Sequence, residues 1–251
     1  MLYNQYMMNK RYSITIDLAG VPLKLCLDSE ESLRFFAPYK AADGVRPFAK
    51  VSVPDEAWAY IRRRGFVEDE LSEAGLITAY ASDALLETGM CLIHAVAVRK
   101  GDGAWLIAAP SGVGKSTQVR YLDMLFPGEF SVICGDRPVL QLVGDDKVLV
   151  HPSPWNGKEG WKGADSARLD GVICLKRGEE NIVEPMKKTE AVIPVFEALI
   201  HSGSTAEQVR QLAAFEDELL RRTTVWRMIN LGVPYSTDLL YNTLFVQEDR
   251  K

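Results

Sequence analysis

The run Ala109-Pro110-Ser111-Gly112-Val113-Gly114-Lys115-Ser116-Thr117 has the residue types and spacing of a phosphate-binding loop, with Ala109 in the first glycine place. Gly112 and Gly114 allow positive φ, so that successive amides can converge on phosphate oxygens. A helix opening at Lys115 would add the positive end of its dipole. Ser111, Gly112, Val113, Gly114, Lys115, Ser116 and Thr117 are therefore the candidate nucleotide contacts. Lys115 is placed to reach the terminal phosphates, and the Ser116 hydroxyl suits Mg²⁺. ATP and Mg²⁺ are the expected ligands. The context agrees: the apolar run Ala104–Ala108 enters the loop as a strand, and Lys115–Leu125 leaves it with helical patterning.

Other residues could complete a phosphoryl-transfer site. Asp136 follows the apolar run Ser131–Cys134 and Gly135, at the C-terminal end of a strand expected in the same sheet. There it can hold Mg²⁺ or accept a proton from a hydroxyl; the alternative is a turn aspartate between Gly135 and Pro138. His94 lies in the apolar run Cys91–Arg99, read as one strand pairing with the strand that enters the loop. That pairing would bring its imidazole near the γ-phosphate or Asp136, although a lone histidine in such a run is more often a core residue. The stretch Pro154–Trp161 gathers two tryptophans, Lys158 and Glu159 between glycines. Glu159 is a candidate second metal carboxylate and Lys158 a candidate charge clamp, against a bland loop pinned by its tryptophans. Arg137 and Arg177 are weaker candidates for stabilising transition-state charge. His151 and His201 stand alone and are assigned no role.

The elements that must position these residues are legible as patterns. Tyr12–Leu18 and Val21–Leu27 alternate around Ala19-Gly20 and predict a hairpin. Phe48–Val53 predicts a strand, and Asp55–Arg64 and Leu76–Met90 predict helices. Val139–Val143 and Val148–Val150 flank a Gly-Asp-Asp turn, Pro152–Gly163 reads as a loop, and Gly171–Leu175 reads as a buried strand. Glu190–Ile200 and Ser204–Arg222 are amphipathic, the second opening on a Ser204/Glu207 capping box. Val225–Asn230 predicts a strand and Ser236–Phe245 a last helix. The division expected is a small N-terminal α+β region over residues 1–75 and a catalytic domain over 76–251.

Composition narrows the class. Over 251 residues the chain is 47% hydrophobic and 25% charged, with a net charge of −5. That is the balance of a globular chain, and an acidic one is not built to hold nucleic acid by bulk electrostatics, a local basic patch aside. No apolar run is long enough to span a membrane, and Met1–Arg11 lacks an apolar signal core, so no membrane partner and a cytoplasmic location are expected. Cys26, Cys91, Cys134 and Cys174 have no CxxC spacing and read as buried thiols.

The order His94, a Gly-Asp-Gly turn, an apolar strand, Ser111–Ser116 and then Gly135-Asp136 resembles the catalytic domain of HPr kinase/phosphorylase, especially its shorter bacterial relatives, over about residues 80 to 180. The resemblance implies an α/β fold: an HPr-kinase/PEP-carboxykinase-type P-loop core of mixed β-sheet with flanking helices. It implies ATP-dependent phosphorylation of a hydroxyl, typically a serine, with Lys115 on phosphates, Ser116 on Mg²⁺, Asp136 as base, His94 near the transferred group and Glu159 as a later metal carboxylate. It also suggests a homo-oligomer. The acceptor would be a hydroxyl-bearing peptide, protein or small molecule. Two departures stand out: Arg137 occupies the place of a second aspartate, and Gly157-Lys158-Glu159-Gly160 stands roughly where the family carries Arg-Gly-Leu-Gly. A catalytically idle ATP-binding sensor and a PEP-carboxykinase-like phosphotransfer enzyme are the alternative readings.

Overall fold

The computed structural model describes residues 11–63, 72–163 and 165–246. The stretch 1–10 and Arg64, the expected last residue of a helix, lie outside the described residues. The first hairpin forms as its alternation requires, β1 (Tyr12–Leu18) against β2 (Val21–Leu27), and β3 (Ala49–Val51) adds parallel to β2. Helices α1 (Glu30–Phe36) and α2 (Asp55–Arg63) belong to the same N-terminal region. Helix α3 (Glu73–Leu86) begins earlier than the expected Leu76–Met90 because the Ser72 side chain caps it by accepting from Gly75 N. It ends earlier because Gly89 turns the chain at φ +71° and Met90 enters a strand.

The main sheet contains β4 (Met90–Leu92), β5 (Ala95–Lys100), β6 (Gly103–Ala108), β7 (Phe130–Cys134), β8 (Val139–Val143), β9 (Lys147–His151), β10 (Ala167–Arg177), β11 (Ile182–Pro185) and β12 (Thr224–Asn230). Its order runs β4-β8-β9-β10-β6-β5-β7, with β12 and then β11 branching from β10. β10 runs parallel to both β6 and β12 but antiparallel to β9, so the sheet is mixed and curled. β6 is buried along its whole length. Ala104, Leu106 and Ala108 face a core closed by α5 (Lys188–Ala198) and α6 (Ala206–Arg222). Trp105 and Ile107 face the opposite core, closed by α4 (Lys115–Leu125) and α7 (Pro234–Leu244). A strand covered on both faces reads as a continuous apolar run rather than an alternating one.

Two sequence expectations need correction, and one strand of the main sheet was missed. Cys91–Arg99 is not one strand: it divides into β4 and β5 at Ile93-His94, where the chain passes from β8 to β6 and β7. The amides either side of His94 are taken by Pro138 O (from Ile93, 3.2 Å) and Asp136 O (from Ala95, 2.9 Å), so the 136–138 turn wedges the run apart. α6 is capped by Thr205, which accepts from Gln208 N at 3.2 Å, not by Ser204, whose hydroxyl bonds Ser202. β11 was not foreseen: only Ile182 and Val183 give it an apolar signal, and it lies on the sheet margin.

One tryptophan joins the N-terminal sheet to the rest. Trp155 is buried beside Phe36, with ring centroids 5.6 Å apart, and its indole N–H donates to Ala74 O in α3 at 2.5 Å. The same core holds Leu23 and Leu25 of β2, Leu92 of β4 and Val139 of β8. Trp155→Ala should cost about 3–5 kcal/mol in urea unfolding, as expected for emptying a site of this size.

Glu216 on α6 is 4% exposed, and its Oε1 has no partner among the described residues. Burial pushes its carboxyl up to about 7, against a smaller lowering from the Phe196 amide. The folded state thus holds a proton that the unfolded chain has released, so stability should fall as pH rises from the ordinary carboxylate range through about 7. Glu216→Gln should be the more stable protein at pH 8, with the gap closing towards pH 5 in parallel thermal melts.

Candidate active site

The loop between β6 and α4 has the backbone that phosphate binding needs. Gly112 and Gly114 sit at φ +79° and +119°, and Gly114 is the N-cap of α4 with no side-chain cap. The first amides of α4 therefore have no capping side chain to receive them, an arrangement whose partial positive charge favours an anion.

Lys115 turns back into this mouth. It is 8% exposed, and its Nζ donates to Ala109 O at 2.8 Å, to Pro110 O at 3.5 Å and lies 2.9 Å from His94 Nε2. Burial lowers its pKa; the Asp136 carboxylate opposes that and Arg137 adds to it. His94 owes its position to the strand break. Its own amide donates to Ala198 O at 2.7 Å, tying it to the end of α5, while the neighbouring Ala95 N–H holds Asp136 O.

His94 Nε2 also lies 3.3 Å from Asp136 Oδ1. One ring nitrogen cannot serve both partners alike: bare, it accepts from Lys115; protonated, it donates to Asp136. The imidazole is thus a link whose proton decides which neighbour it holds. The other carboxylate oxygen, Oδ2, faces Arg137 Nε at 3.2 Å. Burial pushes the Asp136 carboxyl up, but the His94 hydrogen bond and the charges of Arg137, His94 and Lys115 outweigh it and hold it below the usual carboxylate value. Arg137 is itself fixed, donating from Nη1 to Thr78 Oγ1 at 2.7 Å and to Gly75 O at 3.0 Å in α3.

The Trp155–Trp161 loop lies directly over this carboxylate. Gly135 N donates to Trp161 O at 2.9 Å, and Arg137 N donates to Trp155 O at 3.0 Å. The contact is tight enough that a Cβ on Gly135 would stand 2.3 Å from Asn156 O. Glu159 is engaged by Arg120 of α4 at 2.5 Å, and Trp161 has the same guanidinium 5.9 Å from its ring centroid. Lys158 is exposed. The loop thus bridges Asp136 and the phosphate-loop helix, with Glu159 on the helix side.

A cavity of about 680 Å³ opens beside the loop, lined by His94, Pro110, Val113, Cys174, Arg177 and Glu197 among others. It is of small-ligand size and mostly apolar. Arg177 Nε donates to Val113 O at 3.2 Å, so this arginine braces the phosphate loop. Pro194, Glu197 and Ala198 of α5 escaped the sequence reading, since an amphipathic helix gives no sign of which residues line a site. All four cysteines are free and buried, and burial pushes the Cys174 thiol up to about 11. Among the described residues no helix is long and apolar enough to cross a membrane.

No family model matches this chain, and no curated protein does. Among solved structures it is similar to the Hpr(Ser) kinase/phosphatase from Coxiella burnetii, with 11% identity and a TM-score of 0.34 over 63% of this chain and 94% of that one.

Arg137→Met should raise the Asp136 titration, followed by carboxyl-carbon NMR, and lower stability by about 1–3 kcal/mol through the bonds lost to α3. An unmoved Asp136 titration would show that the guanidinium does not govern that carboxylate.

Proposed function

We propose that the protein is a kinase that transfers the γ-phosphate of ATP to a hydroxyl, on a serine of a peptide or protein or on a small molecule. The supporting observation is the convergence of the Lys115 ammonium and the Asp136 carboxylate on one imidazole nitrogen, His94 Nε2, at 2.9 and 3.3 Å. In this reading the amides of Ser111–Thr117 receive the phosphates, and Lys115 exchanges Ala109 O and His94 for the terminal phosphate oxygens. His94 Nε2, released from Lys115, is then free to orient Asp136. Asp136 accepts the proton of the acceptor hydroxyl as its oxygen bonds phosphorus and the bond to the departing diphosphate breaks.

The donor set suits Mg²⁺, which favours hydroxyl and carboxylate oxygens. Ser116 and Asp136 would hold it, with Glu159 as a further carboxylate, and the ion would supply charge neutralisation at the phosphates. Lys158 would act as the charge clamp from the overlying loop.

A second reading, a nucleotide sensor without turnover, is favoured by Arg137: a guanidinium on Oδ2 makes Asp136 a weaker base. Incubation with γ-labelled Mg-ATP and hydroxyl acceptors, including free serine and serine peptides, separates the two. Lys115→Ala should weaken ATP binding about 10- to 100-fold, the scale of a lost charged hydrogen bond. Asp136→Asn should lose about 10²- to 10⁴-fold in transfer, with ATP binding weakened less than in Lys115→Ala. Tight ATP binding with no transfer to any acceptor favours the sensor, and unchanged ATP affinity in Lys115→Ala refutes the site.

A further inference from the structure

His151 stands apart from the phosphate loop and is assigned nothing by its sequence context, yet it is held at both ring nitrogens. It closes β9, opposite Val139 of β8, and its Nε2 lies 2.9 Å from Gln141 Oε1 on that strand. Its Nδ1 lies 2.6 Å from the hydroxyl of Ser166, which immediately precedes β10. Gln141 Oε1 is an acceptor, so Nε2 carries the ring proton and Nδ1 is left bare to accept from Ser166. Burial lowers the His151 pKa and so favours the neutral ring that this requires. Hydroxyl, imidazole and an orienting side chain stand in line, which is the arrangement that activates a serine.

The surroundings hold the arrangement in place and give it room. Arg99 Nη2 donates to the carbonyls of Asp165 at 3.2 Å and Ser166 at 2.9 Å, pinning the backbone that carries the hydroxyl. A cavity of about 300 Å³ opens on the pair, lined by Asp17, Tyr39, His151, Ser153, Lys162 and Ser166. Lys162 brings an ammonium to the same cavity, suited to negative charge developing on a carbonyl oxygen. The site lies at the other end of β10 from the phosphate loop. From Ser166 to Cys174, the partner of Ala108, the extended chain covers on the order of 25 Å.

We propose that Ser166, His151 and Gln141 form a second, esterase-type site that takes small acyl esters. Ser166 Oγ bonds the carbonyl carbon as His151 Nδ1 takes its proton. The bond to the leaving alcohol breaks, and Nδ1 returns the proton to the departing oxygen. Water then attacks the acyl-serine, gives a proton to Nδ1 and releases the carboxylic acid, and that proton returns to Ser166 Oγ. Gln141 is a positioning residue: it fixes the tautomer that leaves Nδ1 bare. Neither ATP nor Lys115 enters this chemistry.

The full chain is treated with a fluorophosphonate probe, the labelled peptide is located by mass spectrometry, and p-nitrophenyl acetate hydrolysis is followed in parallel. Labelling should fall on Ser166. Ser166→Ala and His151→Gln should each lower the hydrolysis rate about 100-fold or more, with thermal melts confirming that both variants fold. Gln141→Leu should lower kcat, and Gln141→Glu should restore it, because a carboxylate orients the imidazole and stabilises its protonated form; a purely structural glutamine would not give that rescue. Absence of label, label on another residue, or full reactivity in His151→Gln would overturn the proposal.

Discussion

A lysine ammonium buried at the end of a sheet has to find partners, and the geometry of this site follows from how Lys115 does so. Desolvating a charge without pairing it is costly. Two carbonyls of its own loop and one imidazole nitrogen receive the ammonium. For the imidazole to be there, the chain must leave one strand partnership and enter another at His94, and the 136–138 turn must supply the carbonyls that fill the break. The same turn carries Asp136 to the imidazole. Lysine, histidine and aspartate therefore meet because one interruption in the sheet serves all three.

Much of this was legible in advance. Period-2 alternation around Ala19-Gly20 gave the first hairpin to the residue, and the glycine spacing at Gly112 and Gly114 placed both the loop and the start of α4 at Lys115. Asp136 was readable because a carboxylate at a strand's C-terminal end falls beside the loop. His94 was readable because its run was expected to pair with the loop strand; β5 does pair with β6, antiparallel, so His94, just before its start, meets the end of β6. The break at His94 was not, because Cys91–Arg99 is apolar throughout and the wedge comes from residues some forty positions later. Nor could Thr205 be told from Ser204 as the cap, since adjacent hydroxyl residues satisfy the same pattern.

Arg137 shows why residue type alone misleads. By position it reads as a lost carboxylate. In the fold it spans Asp136 and two acceptors on α3, so it ties the carboxylate turn to the helix that shares a core with the N-terminal sheet. His151 is a parallel case: solitary in the sequence, it has a partner at each ring nitrogen because antiparallel strands bring Gln141 beside it and β10 starts where β9 ends.

The bare start of α4 carries a thermodynamic consequence. Without a capping side chain, the helix lacks the group that ordinarily completes it, and in the proposed reading a bound anion would supply that group from solution. Helix completion and ligand affinity are then one linked equilibrium. An anion that binds only the folded loop stabilises the chain by RT ln(1 + [L]/Kd), about 2.7 kcal/mol at a hundredfold excess over Kd. Giving α4 a cap of its own would sever that linkage, leaving a helix that no longer senses whether its ligand is there.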